Sequence, residues 1–133
     1  MDSSSTRVLV ASCALAGAAA KLASTLATAR PAWRVRAMDF LQATTRLGDD
    51  VKALRFLSSG PLRRAHVQKI ATDTRDALAC AMRMHNMLST SQIAREAAFD
   101  GAARAHALLV ALEEHETAGA GATDAHSLGG STL

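Results

Sequence analysis

Residues 33–57, WRVRAMDFLQATTRLGDDVKALRFL, decide how the chain is read. Within them Trp33, Ala37, Phe40, Thr44, Leu47, Val51 and Leu54 recur at alternating spacings of four and three. That period places them on one face of an amphipathic helix. Trp33, Phe40 and Phe56 also lie here, leaving Phe99 as the one aromatic elsewhere. In a chain otherwise rich in Ala, Leu and Met, this helix therefore holds most of the large core fillers. It is expected to be the packing spine, running from Pro31 to about Leu57, with Arg46–Asp50 and Asp49–Lys52 pairs on its outer face. Gly48 sits inside it, where a close neighbouring backbone or a plain loose spot would account for it.

Working outward, Ser58-Ser59-Gly60-Pro61 punctuates the C-terminal side. Gly60 can take positive φ and Pro61 suits the first turn of a following helix. So short a connection favours an antiparallel hairpin. Helix three, about Leu62 to Leu88, carries Leu62, His66, Ile70, Thr74, Ala77, Ala81 and Leu88 on one side. Ser89-Thr90-Ser91 offers caps for helix four, which presents Ile93, Ala97, Gly101, Ala105, Leu108 and Leu112. Ala97, Gly101 and Ala105 form a small-residue ladder that lets another element lie close; beside Glu96, Asp100 and Arg104 the setting is soluble packing. After Glu116 the sequence TAGAGATDAHSLGGSTL has no periodicity and reads as a flexible tail.

On the N-terminal side, Pro31 disfavours helix at Arg30 and separates off residues 1–30. From Val8 to Ala29 almost every residue is small and apolar. Val8, Ala11, Leu15, Ala18 and Leu22 make a seam, and the opposite side (Cys13, Gly17, Ala20, Ser24) is small rather than charged. Three readings stand. The segment is a buried helix; or it spans a membrane, its larger apolar residues each contributing about −0.3 to −0.6 kcal/mol against up to about 2.5–3.5 kcal/mol for Lys21; or it is a targeting segment with a small-residue cleavage pattern at Ala18-Ala19-Ala20. The scarcity of acid in residues 1–38 suits a mitochondrial or plastid transit peptide.

Composition supports the same class. The chain has 133 residues, enough for one domain with a real core, and 49% are hydrophobic while only 3% are aromatic. Two prolines, both at helix starts, and no period-two run make the fold all-α: an antiparallel helical hairpin extended to a three- or four-helix bundle, with a disordered C-terminal tail. The expected organisation is an apolar N-terminal helix (1–30), a helical bundle (31–117) and the tail (118–133). The net charge of +3 is too small to argue for nucleic acid. It hides a basic front, residues 1–38, and an acidic back, residues 89–133, which suggests either self-complementary packing or a targeting front. Cys13 and Cys80 show neither metal spacing nor a disulfide framework, as in a reducing compartment.

The sequence offers little chemistry. Its five histidines show no HxxxH or HExxH spacing, and there is no phosphate loop or nucleophile elbow. His66 lies on the apolar face of helix three and reads as a core or interface histidine. Glu113 to Glu116 read as an exposed, fraying helix end, and Cys80 as a buried, inert thiol. Neither catalysis, cofactor nor metal is expected. Two basic clusters remain, Arg34 with Arg36 and Arg63 with Arg64. Both lie near helix starts, where cations gain nothing from the helix dipole; they read first as a solvated helix face, and otherwise as a contact for a phosphate-bearing partner such as a lipid head group or nucleic acid. Met84 and Met87 join them as candidates for an adaptable contact surface, with core filling as the alternative. Ser131-Thr132-Leu133 matches a generic PDZ-ligand ending.

Arg46-Leu47-Gly48, followed by Val51, Leu54, Arg55 and Ser58-Ser59, resembles part of the amphipathic segment of peroxisomal membrane-elongation proteins. That family tubulates membranes through such helices. The resemblance covers part of helix two only, and the family's later hydrophobic segments are missing.

The expectation is thus a small non-enzymatic helical interaction or scaffold protein, organelle-directed or membrane-associated, with residues 8–29 as a membrane contact and a protein, or a second copy of the chain, as partner. The alternative is a single-span membrane-anchored protein whose helical domain binds a protein partner; a cytoplasmic location is the alternative to an organelle.

Overall fold

The computed structural model describes residues 3–57, 60–88 and 91–131, with side chains for 4–57, 60–88 and 91–117. Four helices follow one another: α1 (Ser3–Thr25), α2 (Pro31–Ala53), α3 (Pro61–Met87) and α4 (Gln92–Ser131). A single 3-10 turn, Leu54–Phe56, extends α2. The described residues contain no strand, and the chain is an all-α bundle.

Local chemistry sets the helix boundaries. Pro31 opens α2 and leaves Arg30 extended, at φ −54° and ψ 147°, because the proline ring excludes helical geometry from the residue before it. Pro61 opens α3 behind Gly60, whose φ of 94° and ψ of −173° only glycine adopts without strain. Ser91 caps α4 by accepting the Ala94 N–H on its Oγ at 3.2 Å, relieving one of the unpaired donors of the first turn. The breaks expected at Ser58–Ser59 and Ser89–Thr90 lie outside the described residues. So do Thr132, Leu133 and every side chain of the expected 118–133 tail.

The helices form a ring in which each packs antiparallel to the next. α1 lies between α2 and α4, α3 lies between α4 and α2, and the diagonal pairs meet only through side chains. The core is mostly Ala and Leu. α1 supplies Val8, Leu15, Ala19, Leu22 and Leu26, and α4 supplies Ala94, Ala98, Ala102, Ala105, Leu108 and Leu112. Small residues on both sides let α1 and α4 make the most extensive seam of the four. The α2–α3 seam is the least extensive, so a hairpin of 31–88 is not the best-packed pair in the fold. The buried hydroxyls of Ser12, Thr44 and Thr74 donate to carbonyls of their own helices at 2.7–2.9 Å, which removes the cost of burying them.

Helix α2 buries Ala37, Phe40, Thr44, Leu47 and Val51, the heart of the stripe read from its sequence. Other expectations need correction. Trp33 is half-buried at the rim, with the Arg36 guanidinium 5.3 Å over its ring. Phe40 alone of the four aromatics is a core filler; Phe56 is 75% exposed and Phe99 54%. Leu62 and Ile93 are exposed because both stand in first turns, where the facing elements have ended or turned away. The Arg46–Asp50 and Asp49–Lys52 pairs do not form; Asp50 instead reaches across to Lys69 at 2.9 Å. A Cβ at Gly48 would meet nothing within 4 Å, so no neighbour requires that glycine.

Candidate functional site

Three features could carry function: a polar knot that ties the helix ends, a groove along α2–α3, and the tip where α2 turns into α3.

The knot joins three helices. Ser4 Oγ lies 2.8 Å from His115 Nδ1 and His115 Nε2 lies 3.2 Å from Arg63, whose guanidinium donates to both Glu116 oxygens at 2.9 and 3.1 Å. A guanidinium only donates, so Nε2 must accept and the ring proton sits on Nδ1, donating to Ser4. The imidazole then has no lone pair to take the Ser4 proton, and the pair is not set up as nucleophile and base. This is a structural tie. It corrects the expectation of an exposed, fraying end at His115 and Glu116, which are half-buried and held, whereas Glu113 and Glu114 are exposed as that reading has them. It also corrects the reading of Arg63 as a free cation, its side chain being only 19% exposed.

The groove lies on the open α2–α3 seam and encloses about 500 Å³. Phe40, Ala43 and Ala77 line it with apolar surface; Asp39, Arg46, Lys69, Asp73 and Asp76 supply charge, and Cys80 closes one end. Lys69 bridges Asp50 and Asp73 at 2.9 Å each, and those carboxylates raise its pKa. Asp39, Asp76 and Arg46 make no ion pair among the described residues. Cys80 is half-buried rather than fully buried, and that burial pushes its thiol up, against the pull of Arg83 and Arg36. No cluster of metal-ligating groups occurs among the described residues.

The tip is different in kind. Residues 51–72 hold Lys52, Arg55, Arg63, Arg64 and Lys69 and not one carboxylate. Phe56 and Leu62 are 75% and 76% exposed there. The 3-10 turn after Ala53 breaks the phase of α2 and sends Phe56 outward, with the Arg55 guanidinium 4.7 Å over its ring. With Arg63 held by Glu116 and Lys69 by two aspartates, Lys52, Arg55 and Arg64 are the cations without an ion pair among the described residues of the tip.

The remaining candidates scatter. Arg34 is exposed at the opposite end of the bundle, and Arg36 leans on Trp33 and donates to Met87 Sδ at 3.6 Å. Met87 is 53% exposed, but Met84 is 1% exposed and belongs to the core, so the two methionines do not form one surface. His66 is half-buried and Nε2 meets the Asp50 carbonyl at 2.8 Å, an interface histidine. Of the residues singled out from sequence, only Arg64 joins the exposed tip. Phe56 and Leu62 were missed as surface groups because their apolar character assigned them inward.

No family model matches the chain, and neither a curated protein nor a solved structure does.

Helix α1 also bears on location. Ser4–Thr25 is long and apolar enough to cross a membrane, with a mean hydropathy of 1.6 over its most apolar window. A third of that window is buried within the bundle, against α2 and α4.

Proposed function

We propose that the protein is a non-enzymatic helical interaction protein that docks on anionic membrane surfaces through the α2–α3 tip. One observation carries this reading: two large apolar side chains stand out in water inside a segment that has five cations and no acid. An apolar pair with a basic rim matches the interfacial region of an anionic bilayer, where rings and alkyl chains leave water while cations stay among the head groups. Each free cation near such a surface contributes about 1 kcal/mol, and burying each apolar side chain about 1.5–3 kcal/mol at most. Of the acids at the end of α4, Glu116 pairs with Arg63 and Glu114 approaches Arg7 at 4.0 Å, leaving Lys52, Arg55 and Arg64 without an ion pair among the described residues. The α2–α3 groove, lined from Asp39 to Arg46 and from Lys69 to Cys80, is a face open to a protein partner.

Sedimentation with vesicles tests this. Binding is expected with phosphatidylserine-containing vesicles, to weaken as salt is raised, and to be lost with pure phosphatidylcholine; no binding to the anionic vesicles overturns it. The single-span reading draws on the length and hydropathy of α1 alone. It would require withdrawing Leu15, Leu22 and Leu26 from the core, and alkaline carbonate, which strips a docked protein but leaves a spanning one in the pellet, separates the two.

A further inference from the structure

We infer that the outer face of α1 and α4 is a self-association surface, where two copies of the chain pair about a two-fold axis along the bundle. This goes beyond membrane docking, which uses the far side of the α2–α3 corner. Only a third of the most apolar window of α1 is fully buried, and Arg7, Val10, Gly17 and Lys21 are exposed, Val10 to 61%. The Ser4–His115 bond and the Arg7–Glu114 approach at 4.0 Å fix the register of α1 on α4. That register sets Val10 and Ala14 beside Ala107 and Arg104 around a shallow trough of about 260 Å³, and brings Val110, 37% exposed, to about the level of Val10. Lys21 falls about level with Asp100.

Charge selects the occupant. Helix α1 carries Arg7 and Lys21 with no acid from Ser3 to Thr25. The facing side of α4 carries Asp100 and Glu114, with Arg104 3.5 Å from Asp100 as its cation, and both members of that pair stay about half exposed. A two-fold axis parallel to the helices lays α1 of one protomer on α4 of its partner at the same level. Lys21 then faces the partner's Asp100, Arg7 faces the partner's Glu114, and Val10 packs on the partner's Val110. An anionic bilayer would attract Arg7 and Lys21 but repel Asp100 and Glu114 on the same face; a second copy satisfies both sets.

Sedimentation equilibrium of the full chain in lipid-free buffer tests this, with variants chosen to spare the fold. A Cβ at position 17 meets nothing within 4 Å, so Gly17→Arg leaves the protomer intact, improves helix propensity and places bulk and charge on the face. The wild type is expected to dimerise and Gly17→Arg to dissociate at least about tenfold more readily, with no fall in melting temperature of the protomer. Lys21→Glu and Asp100→Lys are each expected to weaken the dimer by about tenfold, and the double variant to recover it, since the swapped charges meet again across the axis. A wild type that stays monomeric at every concentration, or a Gly17→Arg dimer as tight as the wild type, overturns the inference. So does a monomer whose binding to vesicles is abolished by Gly17→Arg, which would give the face to lipid; membrane docking through the tip stands or falls separately, because Gly17 is not part of it.

Discussion

The edge of the Phe40 ring lies 3.2 Å from the point where a Cβ on Gly101 would sit. It is a contact across the diagonal of the bundle, from α2 to α4, two helices whose backbones do not touch. Phe40 is 1% exposed, and the Ala81 Cβ lies 3.8 Å from the same point, so an added methyl would press on both.

Gly101→Ala should therefore destabilise the fold by about 1 kcal/mol, because crowding of the ring outweighs the roughly 1 kcal/mol that alanine adds in a helix. In a Phe40→Leu background the same change should stabilise, because the shorter side chain vacates the clash. Phe40→Ala alone should cost about 3–5 kcal/mol. Chemical denaturation of the four proteins gives the cycle, and additive effects would show that ring and glycine do not meet.

The knot of Ser4, Arg63, His115 and Glu116 ties the start of α1, the start of α3 and the end of the packed part of α4. Arg63→Met should lower stability by about 1–2 kcal/mol, since it leaves the half-buried His115 and Glu116 without their donor. Hydrogen exchange should report faster opening at Ser4 to Val8 than at Leu22, at the far end of the same helix. Uniform acceleration along α1 would mean that the knot holds the whole helix rather than its end.

The two thiols should separate kinetically. Cys13 is exposed, whereas Cys80 is half-buried and desolvation keeps its proton on to higher pH than for a free thiol. At any pH near neutrality the thiolate fraction at Cys80 is thus below that of an ordinary cysteine, and its alkylation should climb only as the solution becomes alkaline. Mass-resolved labelling with iodoacetamide should find Cys13 modified first by at least about tenfold; equal rates would place Cys80 in open solvent.

The interior of α2 was legible in its sequence because Ala37, Phe40, Thr44, Leu47 and Val51 keep a strict helical period against charged neighbours. Helix α4 was harder. Ala occupies inner and outer positions alike, so the pattern blurs, and the buried line runs through Ala94 and Ala98 rather than Ile93. Leu62, Ile93 and Phe56 were misassigned for a different reason: whether a residue near a helix end is covered depends on where its neighbours stop, which no local period encodes. The same holds for the site. The Arg63–Arg64 pair is visible in the sequence, but that Glu116 captures one and leaves the other free follows only from the closure of the ring. The acid-free run from Val51 to Thr72 was there to be seen, and its meaning came from the exposure of Phe56 and Leu62.

That exposure supplies the most direct test of membrane docking. Phe56→Ser with Leu62→Ser removes both apolar side chains from solvent-facing positions and leaves every cation and every core contact in place. Flotation with phosphatidylserine-containing vesicles should show the wild type bound and the double variant weakened by more than about tenfold, at an unchanged melting temperature. Binding equal to that of the wild type would contradict docking through the tip.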